Sequence, residues 1–244
     1  MITAIGIFLA VYLAISVLAA SLAMDIPRVP LGTASPESDG LAFQDVSFDS
    51  CGSEPVTLKG WFLPGTNGRV VTVLNGGFRN RVDTSIDTLA LARDLVQRGY
   101  NVLLFDFRGR GESGGRGQTL SFIDQDVSPF NTVYGSIKHQ ARIRGLPGAV
   151  FTFLYPGAAT AARILYGFKQ TDPIDVIGKV KSPLLIIHET GDNFQTIGDA
   201  QSLLTAGKPE DQLLIVPGAH SDGYVNSPGA YIDKVVTFLD GTLK

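Results

Sequence analysis

Asn101-Val-Leu-Leu-Phe-Asp-Phe107, followed at once by Arg108-Gly-Arg-Gly-Glu-Ser-Gly-Gly115, decides how this chain folds. The apolar residues of the first stretch run together without polar alternation, as in a strand covered on both faces. The glycine cluster ends that strand in a loop, because glycine is poor in either regular element. Immediately upstream, Asp83 to Arg98 carries Ile86, Leu89, Ala90, Leu91, Leu95 and Val96 at helical spacing and stops at Gly99, which predicts a helix. Before it, Val70 to Leu74 is a second compact apolar run. Farther out on the amino side, Phe43 to Phe48 and Val56 to Leu63 read as a paired antiparallel start, joined through Ser50 to Pro55. On the carboxyl side come a buried strand at Pro183 to His188, a helix around Ile197 to Thr205, a strand at Gln212 to Val216 and a helix at Ala230 to Leu239. Strands alternating with helices predict an α/β fold with a mostly parallel sheet and flanking helices.

The middle breaks this rhythm. Between Phe107 and Pro183 no further buried strand can be read, Asp126 to Gly145 is irregular, and Pro147 to Phe168 reads as a helical, cap-like insertion broken at Pro156. So long an interval without a sheet strand is unusual in a compact α/β domain.

Composition narrows the possible functions. A net charge of −3 and a pI near 5.6 give no electrostatic footprint for nucleic acid. The single cysteine, Cys51, excludes an intrachain disulfide framework and reads as an inert thiol. His139, His188 and His220 are scattered without metal-ligand spacing, so neither a metal nor a cofactor is expected.

Residues Ile2 to Met24 carry no charged side chain. At 1.5 Å per residue they are long enough to cross a hydrocarbon core of about 30 Å, and they lack the polar face of a soluble surface helix. A membrane anchor is the preferred reading. The rival is a cleaved signal peptide, for which Ser21-Leu-Ala23 offers a small-residue site but no basic stretch precedes the apolar run. The expected organisation is therefore an anchor or signal at 1–24, a linker at 25–40 and an α/β domain at 41–244 with a cap at about 138–170.

Four stretches together resemble the α/β-hydrolase superfamily, in particular its serine-aminopeptidase-like, membrane-anchored branch. They are Val73-Leu-Asn-Gly-Gly-Phe78, Phe105-Asp-Phe-Arg-Gly-Arg-Gly-Glu-Ser-Gly114, His188-Glu-Thr-Gly-Asp192 and Val216-Pro-Gly-Ala-His220. The first departs from the family, which usually has His-Gly where this chain has Asn75-Gly76. The resemblance implies that Asp192 and His220 are the acid and base of a catalytic triad, in which the carboxylate fixes the imidazole tautomer and the imidazole takes the nucleophile's proton. The bland alternative makes Asp192 a helix cap and His220 a solvated loop residue. Gly77 or Phe78 is the expected source of one oxyanion donor.

The nucleophile is the missing member. The family carries it in G-x-S-x-G on a sharp strand-to-helix turn. Gly111-Glu-Ser113-Gly-Gly115 matches the letters. No strand leads directly into Ser113, however, and the glycines after it oppose a helix. Ser113 is thus a poor nucleophile candidate, and Ser128 and Ser136 are poorer. Gln118 to Asp124 resembles the family's lead-in to a helix, and Asp126 to Phe130 resembles the segment after the strand that follows the nucleophile helix. Their near adjacency suggests that the central strand or strands and the elbow are absent around Gln125.

Three functions stay open at this point. One is an α/β-hydrolase-like protein that is catalytically impaired. Another is an active serine hydrolase using Ser113 or another serine on a small ester, acyl or peptide-like substrate. The third is a non-catalytic, membrane-anchored binding protein.

Overall fold

The computed structural model describes residues 2–25, 27–51, 54–76, 79–116, 148–166, 173–193 and 195–242. They fall into two compact units, Met1–Arg28 with Arg116–Pro173, and Val29–Gly115 with Ile174–Lys244.

The first unit contains α1 (Ile2–Met24) and, later in the chain, α3 (Gly148–Tyr166). Helix α1 is long and apolar enough to span a membrane or to be a signal sequence. The expected break at Pro156 does not occur, since α3 runs through it. A mid-helix proline removes one backbone donor and crowds the preceding turn. Here Thr160 Oγ1 donates to the Pro156 carbonyl at 2.8 Å, and packing against α1 along Ala158, Ala161 and Ala162 holds the helix together.

The second unit contains β1 (Gln44–Asp49), β2 (Thr57–Leu63), β3 (Val70–Val73), α2 (Thr88–Gln97) and β4 (Asn101–Phe105). After the short α4 (Pro173–Val176) come β5 (Leu185–Glu189), α5 (Ile197–Ala206), β6 (Gln212–Val216), the short α6 (Gly223–Asn226) and α7 (Pro228–Thr242). The strands form two sheets among the described residues, one ordered β1-β2-β4-β3 and one of β5 with β6. Pairing is antiparallel for β1–β2 and β2–β4, and parallel for β3–β4 and β5–β6. The right-handed β3–α2–β4 crossover rule explains why α2 covers this sheet. Strands β3 and β5 each have one partner among the described residues and are not paired with each other.

Trp61, Leu63, Leu89, Leu95, Val102 and Leu104 form the main core, and Ile232 of α7 joins it. Helix α7 is also tied down by polar contacts. Arg69 Nη1 meets Asp240 Oδ1 at 2.8 Å, Tyr100 donates to the same oxygen at 2.6 Å, and Arg98 pairs with Asp233. Helix α2 begins later than its hydrophobic period predicts. Asp83 Oδ1 accepts from the Ser85 amide at 2.9 Å and from its hydroxyl at 2.6 Å, closing a turn that competes with the first helical turn. Asp87, in the left-handed region at φ 48°, then caps the helix.

Candidate active site

Asp192 and His220 come together at the carboxyl ends of β5 and β6, the edge where open α/β sheets bind ligands. The ladder between these strands continues past them. The Thr190 amide donates to the Val216 carbonyl at 2.9 Å, and the Gly191 amide to the Gly218 carbonyl at 2.8 Å. Gly191 is required for that approach, since a Cβ there would lie 2.8 Å from the Gly218 carbonyl oxygen. Gly218 itself has φ 139°, open to glycine and costly for other residues. The two turns are thereby held in register, and Asp192 Oδ2 lies 2.8 Å from His220 Nδ1.

The pair is asymmetric in exposure. The Asp192 side chain is 2% exposed and that of His220 is 49% exposed. Asp192 Oδ1 accepts from the Gln195 amide at 3.1 Å, which fixes the carboxylate plane. Helix α5 takes its cap elsewhere, from a reciprocal box between Thr196 and Asp199. Those hydrogen bonds hold the Asp199 carboxyl below the usual range. A carboxylate on Nδ1 turns Nε2 toward the position from which a histidine deprotonates a hydroxyl.

A cavity of about 280 Å³ lies beside the pair, lined among others by His188, Glu189, Tyr224 and Tyr231. Sequence reasoning did not identify these four as site neighbours. His188 and Glu189 were legible as the end of a strand and the start of the stretch leading to Asp192, and Tyr231 as part of a helix. His188 is buried, and its Nε2 has no hydrogen-bond partner among the described residues. Tyr224 donates to Asp94 Oδ2 at 2.8 Å, and burial pushes its phenol pKa up. Burial first, and then Glu189, also push up that of Tyr231.

Ser113 lies elsewhere in the architecture. Its side chain is buried, its Oγ donates to the Asp106 carbonyl at 2.6 Å, and it accepts from the Lys59 amide at 2.9 Å. These bonds pin the glycine loop to β2 and the end of β4. The same loop closes over a buried ion pair. Asp106 Oδ2 meets Arg81 Nη1 at 2.7 Å, Asp106 Oδ1 accepts from the Arg81 amide at 2.6 Å, and the Glu112 amide donates to Oδ2 at 3.0 Å. Gly111, at φ 42°, leaves room for this carboxylate, since a Cβ there would sit 2.1 Å from Asp106 Oδ2.

Asn75, which stands where the family usually has histidine, is buried and structural in its bonding. Its Nδ2 donates to the Asn80 carbonyl at 2.7 Å, and its Oδ1 accepts from Thr88 at 3.1 Å. The oxyanion candidates Gly77 and Phe78 lie outside the described residues, as do Gln125, Ser128, Ser136 and His139. Cys51 is exposed. Among the described residues no cluster of acidic, histidine or cysteine side chains is suited to a metal.

No family model matches the chain. The uncharacterized Bacillus subtilis protein YqkD is 24% identical over 234 aligned positions, covering 75% of each chain. The uncharacterized Mycobacterium tuberculosis protein Rv2307c is 28% identical over 219 positions, covering 76% of this chain and 75% of its own. Among solved structures, the Pyrococcus furiosus esterase Pf2001 superposes with a TM-score of 0.70 at 18% identity, over 91% of this chain and 99% of the esterase. The α/β hydrolase GrgF from Penicillium sp. sh18 gives 0.59 at 14% identity, over 83% and 99% of the two chains. The fold is that of the α/β hydrolases.

The alignment lengths carry further information. Since 75% of 244 residues is about 183, the 234 positions aligned with YqkD include about 51 at which this chain has no residue. The same subtraction for Rv2307c, 219 less about 185, leaves about 34.

Proposed function

We propose that this protein is a membrane-associated α/β-hydrolase-fold protein that keeps the acid and base of a serine-hydrolase site but lacks the nucleophile elbow, and so does not carry out acyl transfer. The carrying observation is a juxtaposition. The Asp192–His220 pair is formed at 2.8 Å, while the strands of this unit lie in two separate sheets among the described residues, one ending at β3 and the other of only β5 and β6; we read the gap between the sheets as a sheet interruption. An elbow strand in this fold would occupy that interruption. The shortfall of about 34 to 51 positions is of the size of one strand-plus-helix unit or a little more, a unit of about 30 residues. The bonding of Ser113 to Asp106 and Lys59 argues against its use as a substitute.

Without the elbow there is no group to form an acyl-enzyme, and the backbone donor that follows the nucleophile is lost with it. What remains is a histidine with an oriented imidazole, beside a cavity with two tyrosines. The ancestral substrate class is an ester, thioester or peptide-like acyl bond, handled without a cofactor. Helix α1 supplies the membrane attachment.

A fluorophosphonate probe applied to the full chain tests this proposal. No covalent labelling is expected under conditions that label an active serine hydrolase. Labelling that vanishes in Ser113→Ala would overturn the proposal in favour of Ser113, and labelling that survives the substitution would overturn it in favour of another serine.

A further inference from the structure

Helices α1 and α3 pack through a seam of small side chains. Ala20 is buried with Ala158, Ala161 and Ala162. Gly157 faces Ser16, where a Cβ would come within 2.1 Å of the Ser16 hydroxyl oxygen and 2.7 Å of the Tyr12 hydroxyl oxygen. Such seams let helix backbones approach closely and are typical of packing in lipid. The contacts also fix direction. Tyr12 bonds to the Phe153 carbonyl at 3.2 Å, Ser16 faces Gly157, and Tyr166 donates to Ser21 at 3.0 Å. The two helices are parallel.

Their outer faces differ. On α1, Ile7, Val11, Leu18 and Leu22 recur at intervals of four, seven and four, down the side opposite Tyr12, Ser16 and Ala20. All four are more than half exposed. On α3, the side opposite the seam is Thr152, Pro156, Thr160 and Arg163, again all exposed. Directly away from the seam, α1 is thus apolar and α3 carries threonine, proline and arginine, while Phe8, Leu9 and Leu13 of α1 and Phe153, Ile164 and Leu165 of α3 are exposed on the flanks. Charge follows the same division. Helix α1 has none, and α3 has Arg163 on its outer stripe.

Parallel packing constrains how such a pair meets a bilayer. If both helices spanned it, residues 117–147 would have to bring the chain back across. By sequence they include Asp124, Asp126, Lys138, Arg142 and Arg144, and charged side chains are costly at the centre of a membrane. We infer that α1 does not span the membrane but lies along one leaflet, its Ile7–Leu22 face in the hydrocarbon and α3 riding on it with the Thr152–Arg163 stripe toward the headgroups. The arrangement is that of an interfacial helix, with the polar face supplied by a second helix. It rests on the proposed membrane attachment and specifies its geometry.

Spin labels on single cysteines in the full chain test this inference, in a Cys51→Ser background reconstituted into phosphatidylcholine and phosphatidylglycerol vesicles. The sites are Ile7→Cys, Leu22→Cys and Thr160→Cys, all exposed positions, with circular dichroism checking helix content and Trp61 fluorescence the folding of the second unit. Collision with oxygen reports lipid, and collision with a water-soluble nickel chelate reports solvent. Ile7 and Leu22 are expected to be oxygen-rich at one common depth, with Thr160 nickel-rich. The two α1 sites are about 22 Å apart along the helix at 1.5 Å per residue. Contact from opposite vesicle faces would overturn the flat geometry and leave attachment standing. Nickel-rich labels at both α1 sites would overturn attachment as well. Low collision with both reagents at Ile7 and Leu22 would mean that protein rather than lipid covers α1, and an oxygen-rich Thr160 would overturn the stacking order.

Discussion

Replacing Asp106 by asparagine removes one charge from a fully enclosed pair while nearly preserving its shape. Both Asp106 oxygens are engaged, by the Arg81 amide, the Arg81 guanidinium and the Glu112 amide. Arg81 is itself buried and lies 4.0 Å above the Trp61 ring. With asparagine, the guanidinium keeps only Glu112 as an anionic partner, whose side chain is 55% exposed, and that pair is screened by solvent. Breaking a buried pair by removing one partner costs about 3–5 kcal/mol, because the remaining charge stays desolvated. The cation–π contact, worth up to about 2 kcal/mol, exists with or without Asp106 and offsets none of this loss. With a urea slope of about 2 kcal/mol per molar, the midpoint should fall by about 2 M. Trp61 is the only tryptophan and sits on the network, so its fluorescence during urea unfolding of the full chain in detergent is a direct assay. Glu112→Gln should shift the midpoint by less than about 0.5 M. The double replacement Arg81→Met with Asp106→Leu should recover only part of the loss, because the stranded charge is gone but the Arg81 and Glu112 amides lose their acceptor. Equal small shifts for Asp106→Asn and Glu112→Gln would refute the claim that burial sets the cost.

Three further outcomes are expected. Gly157→Leu should separate α3 from α1, since even a Cβ at that position collides with Ser16, and chymotryptic cleavage at Tyr155 and Tyr166 should then accelerate; an unchanged cleavage rate would show that the seam does not hold the helices. Backbone amides hold the carboxyl of Asp199 low through Thr196, and that of Asp211 low through Lys208 and Leu184. A depressed folded pKa adds stability that is present above the unfolded value, about 4, and is lost as pH falls through the folded value. Thermal stability should therefore fall below about pH 4 on their account, and less steeply in Asp211→Asn; an identical acid limb in that variant would count against it. Finally, the second unit should unfold with low cooperativity, because its strands form two separate sheets among the described residues, one of them only two strands wide. Calorimetry showing one sharp transition, with matching calorimetric and van't Hoff enthalpies, would contradict this.

The outer strands and helices were legible because each carries its own signal. The runs at Val102–Phe105, Leu185–His188 and Gln212–Val216 are apolar and sharply bounded, and they appear as β4, β5 and β6. Helix α2 was legible in its body but not at its start, where the side chains of Asp83 and Thr88 bond to nearby main chain in a way that hydrophobic period does not register. Pro156 misled for the opposite reason. Local propensity predicts a break, and the Ala and Gly packing that overrides it is a tertiary property. Asp192 and His220 were singled out through the family resemblance, and that their side chains meet is a property of the two turns together. That Ser113 is bonded on both sides could not be read from Gly-x-Ser-x-Gly, which specifies letters and not the direction of the hydroxyl. The pairing of α1 with α3 left no trace in a hydropathy pattern, since alanine and glycine carry little of it.

The main-chain bonds from Thr190 and Gly191 to Val216 and Gly218 make the acid–histidine geometry a property of two strands and two turns. Nothing in that scaffold consults the nucleophile. On the proposed reading, the pair can therefore keep its geometry whether or not a nucleophile stands opposite it.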